Sequence, residues 1–216
     1  MLLSVHVPKC AGTSFRHVLD ENYGKRVWYN YGAVFSRDSA SAALVPEGTS
    51  IIHGHFLADA FDDVLPERTY MTWVRHPVER VVSNYEHFLR SPDMRDTCCR
   101  RVHEEALTLR QFADIDWMQN LICRYLARKP VEAFQFVGIA EDFTRSIQQF
   151  GRVYGLRSAL RSPRVNVNPQ RVTDRYDLSP GDYAYILERN LADMDWYRQA
   201  VRRLYHEPLA GSVSVA

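Results

Sequence analysis

Residues 2–15 read LLSVHVPKCAGTSF, and they carry the clearest strand–loop–helix pattern in the chain. An apolar, β-branched run over residues 2–7 has the length of a strand, and Pro8-Lys9 ends it. A turn of small residues follows, and Thr13-Ser14 begin a segment with helical spacing. The unpaired amide groups and the dipole at the N-terminus of such a helix are suited to hold a phosphate.

The position of the lysine argues against an NTPase. A Walker A loop reads G-x-x-x-x-G-K-[ST], with the lysine directly before the hydroxyl residue. Here Lys9 lies four residues before Thr13 and ahead of Gly12. A surface lysine in a plain turn is the alternative, but few plain turns combine a lysine, a glycine and two hydroxyls at one strand–helix junction. We therefore interpret the loop as a phosphate site that does not belong to an ATPase.

The bulk composition is that of one globular domain. The chain has 216 residues, of which 46% are hydrophobic and 25% charged. Its formal net charge is +1, so anion binding must come from local lysines and arginines, and we expect no nucleic-acid partner. No apolar run has the length of a membrane span, and the N-terminus lacks a signal-peptide pattern. We predict a cytoplasmic protein with one domain over residues 1–205 and a flexible tail over residues 206–216.

The cysteines do not have the spacing of a zinc site. Cys98 and Cys99 are adjacent, and Cys10 and Cys123 lie too far along the chain to complete a CxxC pair. We interpret all four as reduced thiols, and we expect no metal. The alternative is a disulfide between Cys98 or Cys99 and Cys123.

Alternating strand and helix patterns predict an α/β, P-loop-like three-layer fold, with a mostly parallel central sheet flanked by helices. The predicted strands cover residues 2–7, 50–56, 68–75 and 134–139, and the predicted helices cover residues 13–23, 77–88, 109–128, 141–154 and 179–205. The polar stretch over residues 30–48 is interpreted as a loop. Ligands of such folds bind at the carboxyl ends of strands, where Lys9 and Arg75 fall.

A second candidate site lies in residues 73–88, which read WVRHPVERVVSNYEHF. Arg75 ends a strand, Pro77 suits the first position of a helix, and Ser83 lies about two turns further on. A guanidinium fork and a hydroxyl can hold one phosphate from two sides. Alternatively, Arg75 pairs with Glu79, and Ser83 is an incidental hydroxyl. The residues alone leave both readings open.

The third candidate feature is His53-Gly54-His55. Residues two apart on a strand point to one face, and Gly54 allows close approach of a substrate or a neighbouring backbone. Histidine can take a proton near neutral pH. A lone histidine is more often structural, and two histidines make a poor metal site. A pair around a glycine at a strand end favours a functional role.

The segments HVPKCAGTSF (residues 6–15) and RHPVERVVSNY (residues 75–85) together resemble the sulfotransferase family, in the branch of heparan sulfate 2-O-sulfotransferase and its bacterial relatives. In that family the first segment binds the 5′-phosphosulfate of 3′-phosphoadenylyl sulfate (PAPS). An arginine and a serine eight residues apart bind its 3′-phosphate. The resemblance therefore implies PAPS as donor and adenosine 3′,5′-bisphosphate as product. The donor-binding residues that it implies are Lys9, Cys10, Ala11, Gly12, Thr13, Ser14, Arg75 and Ser83.

Cys10 departs from the family pattern, which commonly reads P-K-T-[AG]-[GS]-T-S. A thiol here replaces a hydroxyl and weakens one donor to the phosphosulfate, while Lys9, Thr13 and Ser14 are retained. Weaker similarity to the family continues in NLICRYLA (residues 120–127), in FVGIAEDFTRSI (residues 136–147) and in the final predicted helix. The resemblance thus covers nearly the whole chain.

The resemblance also implies catalytic roles, because the same branch has a His-Gly-His segment whose second histidine is the catalytic base. That role falls on His55, with His53 as an orienting or substrate-contacting partner and Lys9 as the stabiliser of the leaving group. The implied reaction is sulfuryl transfer to a hydroxyl, by in-line displacement, on a carbohydrate, glycolipid or small metabolite.

Two other functions compete with this one. A P-loop nucleotide or small-molecule kinase predicts a Walker A order and an acid that holds magnesium. A non-catalytic nucleotide-binding protein on the same fold would leave the histidine pair idle.

A basic run is the last feature, and it consists of Arg157, Arg161, Arg164, Arg171 and Arg175. Such a run is usually a solvated face. Here it can also complete the 3′-phosphate site or attract an anionic acceptor, and no motif selects one arginine.

Overall fold

The computed structural model describes residues 1–90, 92–156 and 176–206. Its centre is a five-stranded sheet with the order β2-β3-β1-β4-β5, in which every pair of neighbours is parallel. The strands are β1 Leu2–His6, β2 Val27–Asn30, β3 Ile51–Gly54, β4 Thr69–Val74 and β5 Phe134–Ile139. Helices flank the sheet, so the predicted α/β architecture is confirmed.

The α-helices in the described residues are α1 Gly12–Tyr23, α2 Pro77–Arg90, α3 Thr97–Glu104, α4 Leu109–Ala113, α5 Leu121–Tyr125, α6 Phe143–Val153, α7 Pro180–Glu188 and α8 Leu191–His206. Helix α1 is anchored to the sheet by Phe15, whose ring centroid lies 5.2 Å from that of Trp73 and 5.1 Å from that of Phe150. Aromatic pairs at this spacing bury large apolar areas. This packing fixes the position of the N-terminus of α1, and with it the end of the loop that precedes the helix.

Parallel pairing brings three loops to the same edge of the sheet. Strand β1 lies between β3 and β4, with Val5 opposite Gly54 and His6 opposite Trp73. The loops that follow these three strands carry the candidate residues. Lys9, His55 and Arg75 therefore emerge side by side, where the fold class places a ligand.

Two elements, β2 and α3, were not predicted from the sequence. Strand β2 lies at the edge of the sheet and pairs with β3. It has four residues, which is too short for an alternating pattern to be detected in the sequence. Asp96 caps the N-terminus of helix α3, and its carboxylate accepts a hydrogen bond from the Cys99 amide at 2.9 Å. That cap is a short-range signal that the sequence did carry.

The helix predicted over residues 109–128 is wrong in its continuity. The chain forms α4, a short turn and α5 instead, and Asn120 adopts a left-handed φ of +48° between them. The Asn120 amide donates to the Asn190 side-chain oxygen at 3.0 Å, and the Asp193 amide donates to the Asn120 side-chain oxygen at 3.2 Å. Side chains of a buried polar cluster thus accept hydrogen bonds from backbone amides at the helix ends. These bonds stabilise the break between the helices, although the apolar spacing predicts one continuous helix.

The helix predicted over residues 179–205 is likewise divided in two. Its start is confirmed, because the Ser179 hydroxyl accepts from the Asp182 amide at 3.0 Å and Pro180 follows the cap. The break falls between α7 and α8, where the Asn190 side chain donates to the Ile186 carbonyl at 2.8 Å. Helix α8 ends at His206, and the predicted tail beyond it lies outside the described residues.

The four cysteines are free thiols, as predicted, and no disulfide joins Cys123 to Cys98 or Cys99. None of the helices within the described ranges combines the length and apolarity needed to cross a bilayer.

Asp193 provides a direct test of the buried polar cluster. Its carboxylate accepts the amides of Ile122 and Cys123 at 3.0 and 2.8 Å, and the residue is fully buried. We predict that Asp193→Ala lowers the free energy of unfolding by about 3 kcal/mol, because two buried amides lose their acceptor. Urea denaturation measures this change.

The matched control is Asp195→Ala on the same helix, where the side chain is 72% exposed and its ion pair with Arg198 is long, at 3.5 Å. We expect a change within about 0.5 kcal/mol. Equal losses in the two variants would show that the buried cluster does not stabilise the fold in this way.

Candidate active site

The loop between β1 and α1 has an unusual backbone. Lys9 and Ala11 have φ angles of +66° and +60°, a region that L-residues with side chains rarely adopt. The Cys10 amide donates to the Val7 carbonyl at 3.2 Å, and the Phe15 amide opens α1 by donating to the Ala11 carbonyl at 3.0 Å. Gly12 and Thr13 precede the first hydrogen bond within the helix, and the helix dipole adds positive charge there. This backbone is compatible with the predicted anion site.

Lys9 lies in a positive field. Burial lowers the pKa of Lys9 to about 8, and the charges of Arg75 and Arg90 act in the same direction. Burial also lowers the pKa of His87, with the charges of Lys9 and Arg90 as further causes. Cations this close repel one another, and an anion bound among them would relieve the repulsion.

The other loop residues differ in what they present to a ligand. The Cys10 side chain is fully buried, its thiol lies 3.7 Å from the Pro8 carbonyl oxygen, and burial raises the pKa of the thiol to about 12. Cys10 thus contributes packing beneath the loop, and its thiol does not reach the loop surface. Thr13 is exposed at the helix start, whereas Ser14 is buried.

Arg75 follows β4 and contacts two carboxylates. Its guanidinium lies 3.3 Å from Glu79 and 3.9 Å from Glu141, so the pairing with Glu79 that formed the alternative reading exists. The Glu79 contact is monodentate and long, and it does not use the guanidinium fork as a bidentate pair would. Ser83 lies further along α2 and is buried. The contacts are compatible with both readings of this pair.

His55 follows β3, and its ring is held in one tautomer. Nδ1 lies 2.8 Å from the His6 carbonyl oxygen. A carbonyl can only accept, so Nδ1 carries the proton and Nε2 carries the lone pair. Burial lowers the pKa of His55, although the bond to His6 opposes the shift, and the ring is therefore neutral at pH 7. A neutral, oriented imidazole is the form that a general base requires.

His53 lies on the same side of β3 but inside the protein. It is 1% exposed, and its Nδ1 lies 2.8 Å from the Ser4 hydroxyl. Burial lowers the pKa of His53 to about 3, and the charge of His55 acts in the same direction. His53 therefore stays neutral at physiological pH. Its burial fits the orienting role and does not fit direct contact with a substrate.

His6 belongs to the same cluster and was missed from the sequence. Its ring stacks on both other imidazoles, with centroids 5.2 Å from His53 and 4.4 Å from His55. Its Nδ1 lies 2.9 Å from the Tyr31 hydroxyl. His6 lies on the same face of β1 as Ser4, but its contacts with His53 and His55 follow only from the pairing of β1 with β3.

Both glycines of the site are required by close packing. A Cβ at Gly12 would overlap the His6 ring, so the first residue of α1 must lack a side chain. A Cβ at Gly54 would overlap the backbone of Asn30, whose carbonyl accepts from the His55 amide at 3.1 Å. Gly54 thus permits the approach of a neighbouring backbone, one of the two uses predicted for it.

The predicted basic run cannot be placed, since all five of its arginines lie in residues 157–175, outside the described part of the chain. In the parts that are described, no three His, Cys, Asp or Glu side chains are arranged to hold a metal ion.

Comparison with known proteins identifies the family. The profile of the Sulfotransferase family matches residues 1–207. A solved structure of a sulfotransferase from Alicyclobacillus acidocaldarius is similar at 15% sequence identity and a TM-score of 0.43, over 90% of this chain and 95% of that one. No curated protein matches. Because the family profile spans nearly its full length, the chain belongs to the sulfotransferase family.

Proposed function

We propose that this protein transfers the sulfuryl group of PAPS to a hydroxyl of a carbohydrate or glycoconjugate acceptor and releases adenosine 3′,5′-bisphosphate. Membership of the sulfotransferase family supports sulfuryl transfer as the general reaction. The observation that supports the finer proposal is the state of His55, a neutral imidazole whose Nδ1 is committed to the His6 carbonyl at 2.8 Å. It follows the strand next to the one that leads into the anion-binding loop.

The residues around the loop fit a donor with phosphates at both ends. Lys9 and the N-terminus of α1 would hold the 5′-phosphosulfate, because they combine a cation with the positive end of a helix dipole. Arg75 and Ser83 would hold the 3′-phosphate, which would compete with Glu79 for the guanidinium. The bound donor supplies an activated sulfuryl group on a phosphate leaving group.

His55 would act at Nε2, which accepts the proton of the acceptor hydroxyl as its oxygen bonds to sulfur and the bond from sulfur to the phosphate oxygen breaks. The bond from Nδ1 to the His6 carbonyl would hold the ring and stabilise the imidazolium that forms. The stacked rings of His6 and His53 would keep His55 in position. Lys9 would stabilise the charge that develops on the phosphate oxygen.

The residues that would hold the 3′-phosphate have a separate role in the proposed reaction. Arg75 and Ser83 would use binding energy away from the reacting atoms to orient the sulfuryl group for in-line attack.

Arg75 tests the donor assignment. We predict that Arg75→Ala weakens binding of adenosine 3′,5′-bisphosphate by about 10- to 100-fold, because a charged hydrogen bond contributes about 1.5–3 kcal/mol. Binding of adenosine 5′-monophosphate should be unchanged, since it lacks the 3′-phosphate. Titration calorimetry measures both, with the exposed Arg152→Ala as the control. Equal losses for the two nucleotides would refute the 3′-phosphate assignment, and a wild-type preference for ATP would favour the kinase.

His55 tests the catalytic assignment. We predict that His55→Ala lowers the rate of transfer by about 10²- to 10⁴-fold, the usual contribution of a general base. Affinity for adenosine 3′,5′-bisphosphate should not change. The assay follows labelled sulfate from PAPS into an acceptor selected by mass spectrometry, with the exposed His17→Ala as the control. A wild-type rate of transfer in His55→Ala would show that His55 is not the general base.

Lys9 and His55 together predict a bell-shaped pH dependence. For the free enzyme, kcat/KM should fall on the acid side, at a pH below the ordinary titration range of histidine, because burial lowers the pKa at which His55 gains a proton. It should also fall on the alkaline side near pH 8, where Lys9 loses its charge. In Lys9→Arg the alkaline limb should disappear, because arginine stays protonated. An alkaline limb that is the same in both enzymes would mean that Lys9 is not the group that titrates.

A further inference from the structure

A row of aromatic rings extends outward from His55. Tyr31 lies 5.0 Å from the imidazole and Tyr125 lies 6.1 Å from it, as measured between ring centroids. Phe35 follows at 5.9 Å from Tyr125, and Trp117 lies 6.1 Å from Phe35. We call these four rings the aromatic row. All spacings fall in the range of direct ring packing.

Three rings of the aromatic row are exposed, whereas Tyr125 is buried, and hydrogen bonds of the backbone hold the row in place. Tyr31, Phe35 and Trp117 are 42%, 37% and 37% exposed. The chain just after His55 fixes two of the segments, since the Leu57 amide donates to the Phe35 carbonyl at 2.8 Å and the Ala58 amide donates to the Tyr125 carbonyl at 2.7 Å. Single exposed apolar residues need no explanation. Here Tyr31 packs on His55 directly, and Phe35 and Trp117 are connected to His55 through Tyr125. Such a connected set of exposed rings marks a binding surface.

Arginines at the surface beside the aromatic row contact carboxylates. Arg124, 5.6 Å above Trp117, contacts Asp116 at 3.1 Å; Arg37 contacts Asp59 at 3.3 Å; and Arg16 contacts Asp20 at 3.9 Å. Arg80, whose charge acts on Tyr125, is fully buried and does not form part of the surface. Burial raises the pKa of Tyr31 to about 12, so its phenol is neutral too. The exposed rings thus lie beside arginines that already face carboxylates, a setting that favours an uncharged ligand over an anionic polymer.

We propose that the aromatic row is the acceptor subsite and that it takes an uncharged sugar ring rather than a polyanionic glycan. The inference rests on the function proposed above, because it names the acceptor of that reaction. A pyranose ring has an apolar C–H face that packs on exposed aromatic rings and a rim of hydroxyls. With that face on Phe35 and Trp117, the chain of rings leads towards His55, which receives the hydroxyl proton.

Binding of two oligosaccharides tests the proposal. The probes are N-acetylchitotetraose, which is neutral, and a hyaluronan tetrasaccharide, in which glucuronate carboxylates are present. Both are measured by saturation-transfer difference NMR in the presence of saturating adenosine 3′,5′-bisphosphate. We expect the neutral probe to bind at least about tenfold more tightly, and its ring C–H protons to receive the strongest transfer.

Trp117→Ala should weaken binding of the neutral probe by about five- to tenfold, the contribution of one aromatic contact. Trp117→Phe should retain most of the affinity. The matched control is Tyr205→Ala, which removes a 43% exposed ring on α8, away from His55. If Trp117→Ala does not fold, Phe35→Ala replaces it.

The outcomes separate the two proposals. Tighter binding of the hyaluronan probe, or neutral binding that Trp117→Ala and Phe35→Ala leave unchanged, overturns the neutral acceptor subsite. Binding of adenosine 3′,5′-bisphosphate without binding of either oligosaccharide also overturns it and leaves the proposed transferase intact. Failure to bind adenosine 3′,5′-bisphosphate contradicts the proposed transferase itself.

Discussion

The hydrogen bond from Nδ1 of His55 to the His6 carbonyl joins the ends of two neighbouring strands, and the rest of the site is arranged around it. It exists because β1 and β3 run parallel and in register, so that their carboxyl ends lie side by side. It also decides which imidazole nitrogen carries the lone pair. The proposed base is thus oriented by the backbone of the same segment that leads into the proposed donor-binding loop.

Charge is distributed unevenly over the two sides of this bond. On the side of the loop, Lys9 contacts no carboxylate among the described residues, and the charges of Arg75 and Arg90 lower its pKa although each of these arginines contacts a glutamate. On the other side, Arg124 and Arg37 are balanced by carboxylates, and aromatic rings dominate the surface. A reaction between an anionic donor and a neutral acceptor would need this kind of separation, since each substrate then meets surroundings of its own character.

Most elements with local signals were predicted from the sequence, α3 with its Asp96 cap being an exception, whereas features that depend on the rest of the fold were missed. The strand before Pro8, the helix from Pro77 and the cap at Ser179 follow from periodicity and caps, and all three are confirmed. The breaks at Asn120 and Asn190 could not be predicted, because they depend on hydrogen bonds between segments about 70 residues apart. The same limit applies to His6, whose contacts with two other imidazoles require the strand order β3-β1 to be known.

The close packing of Gly12 against His6 connects the proposed donor site with the proposed catalytic base. The helix whose N-terminus would receive the donor approaches the stacked imidazoles so closely that a single methyl group would displace a ring. In the proposed mechanism, donor affinity and base orientation would therefore not be independent. A substitution at Gly12 would alter both, and a second substitution in the histidine stack would be needed to compensate for it.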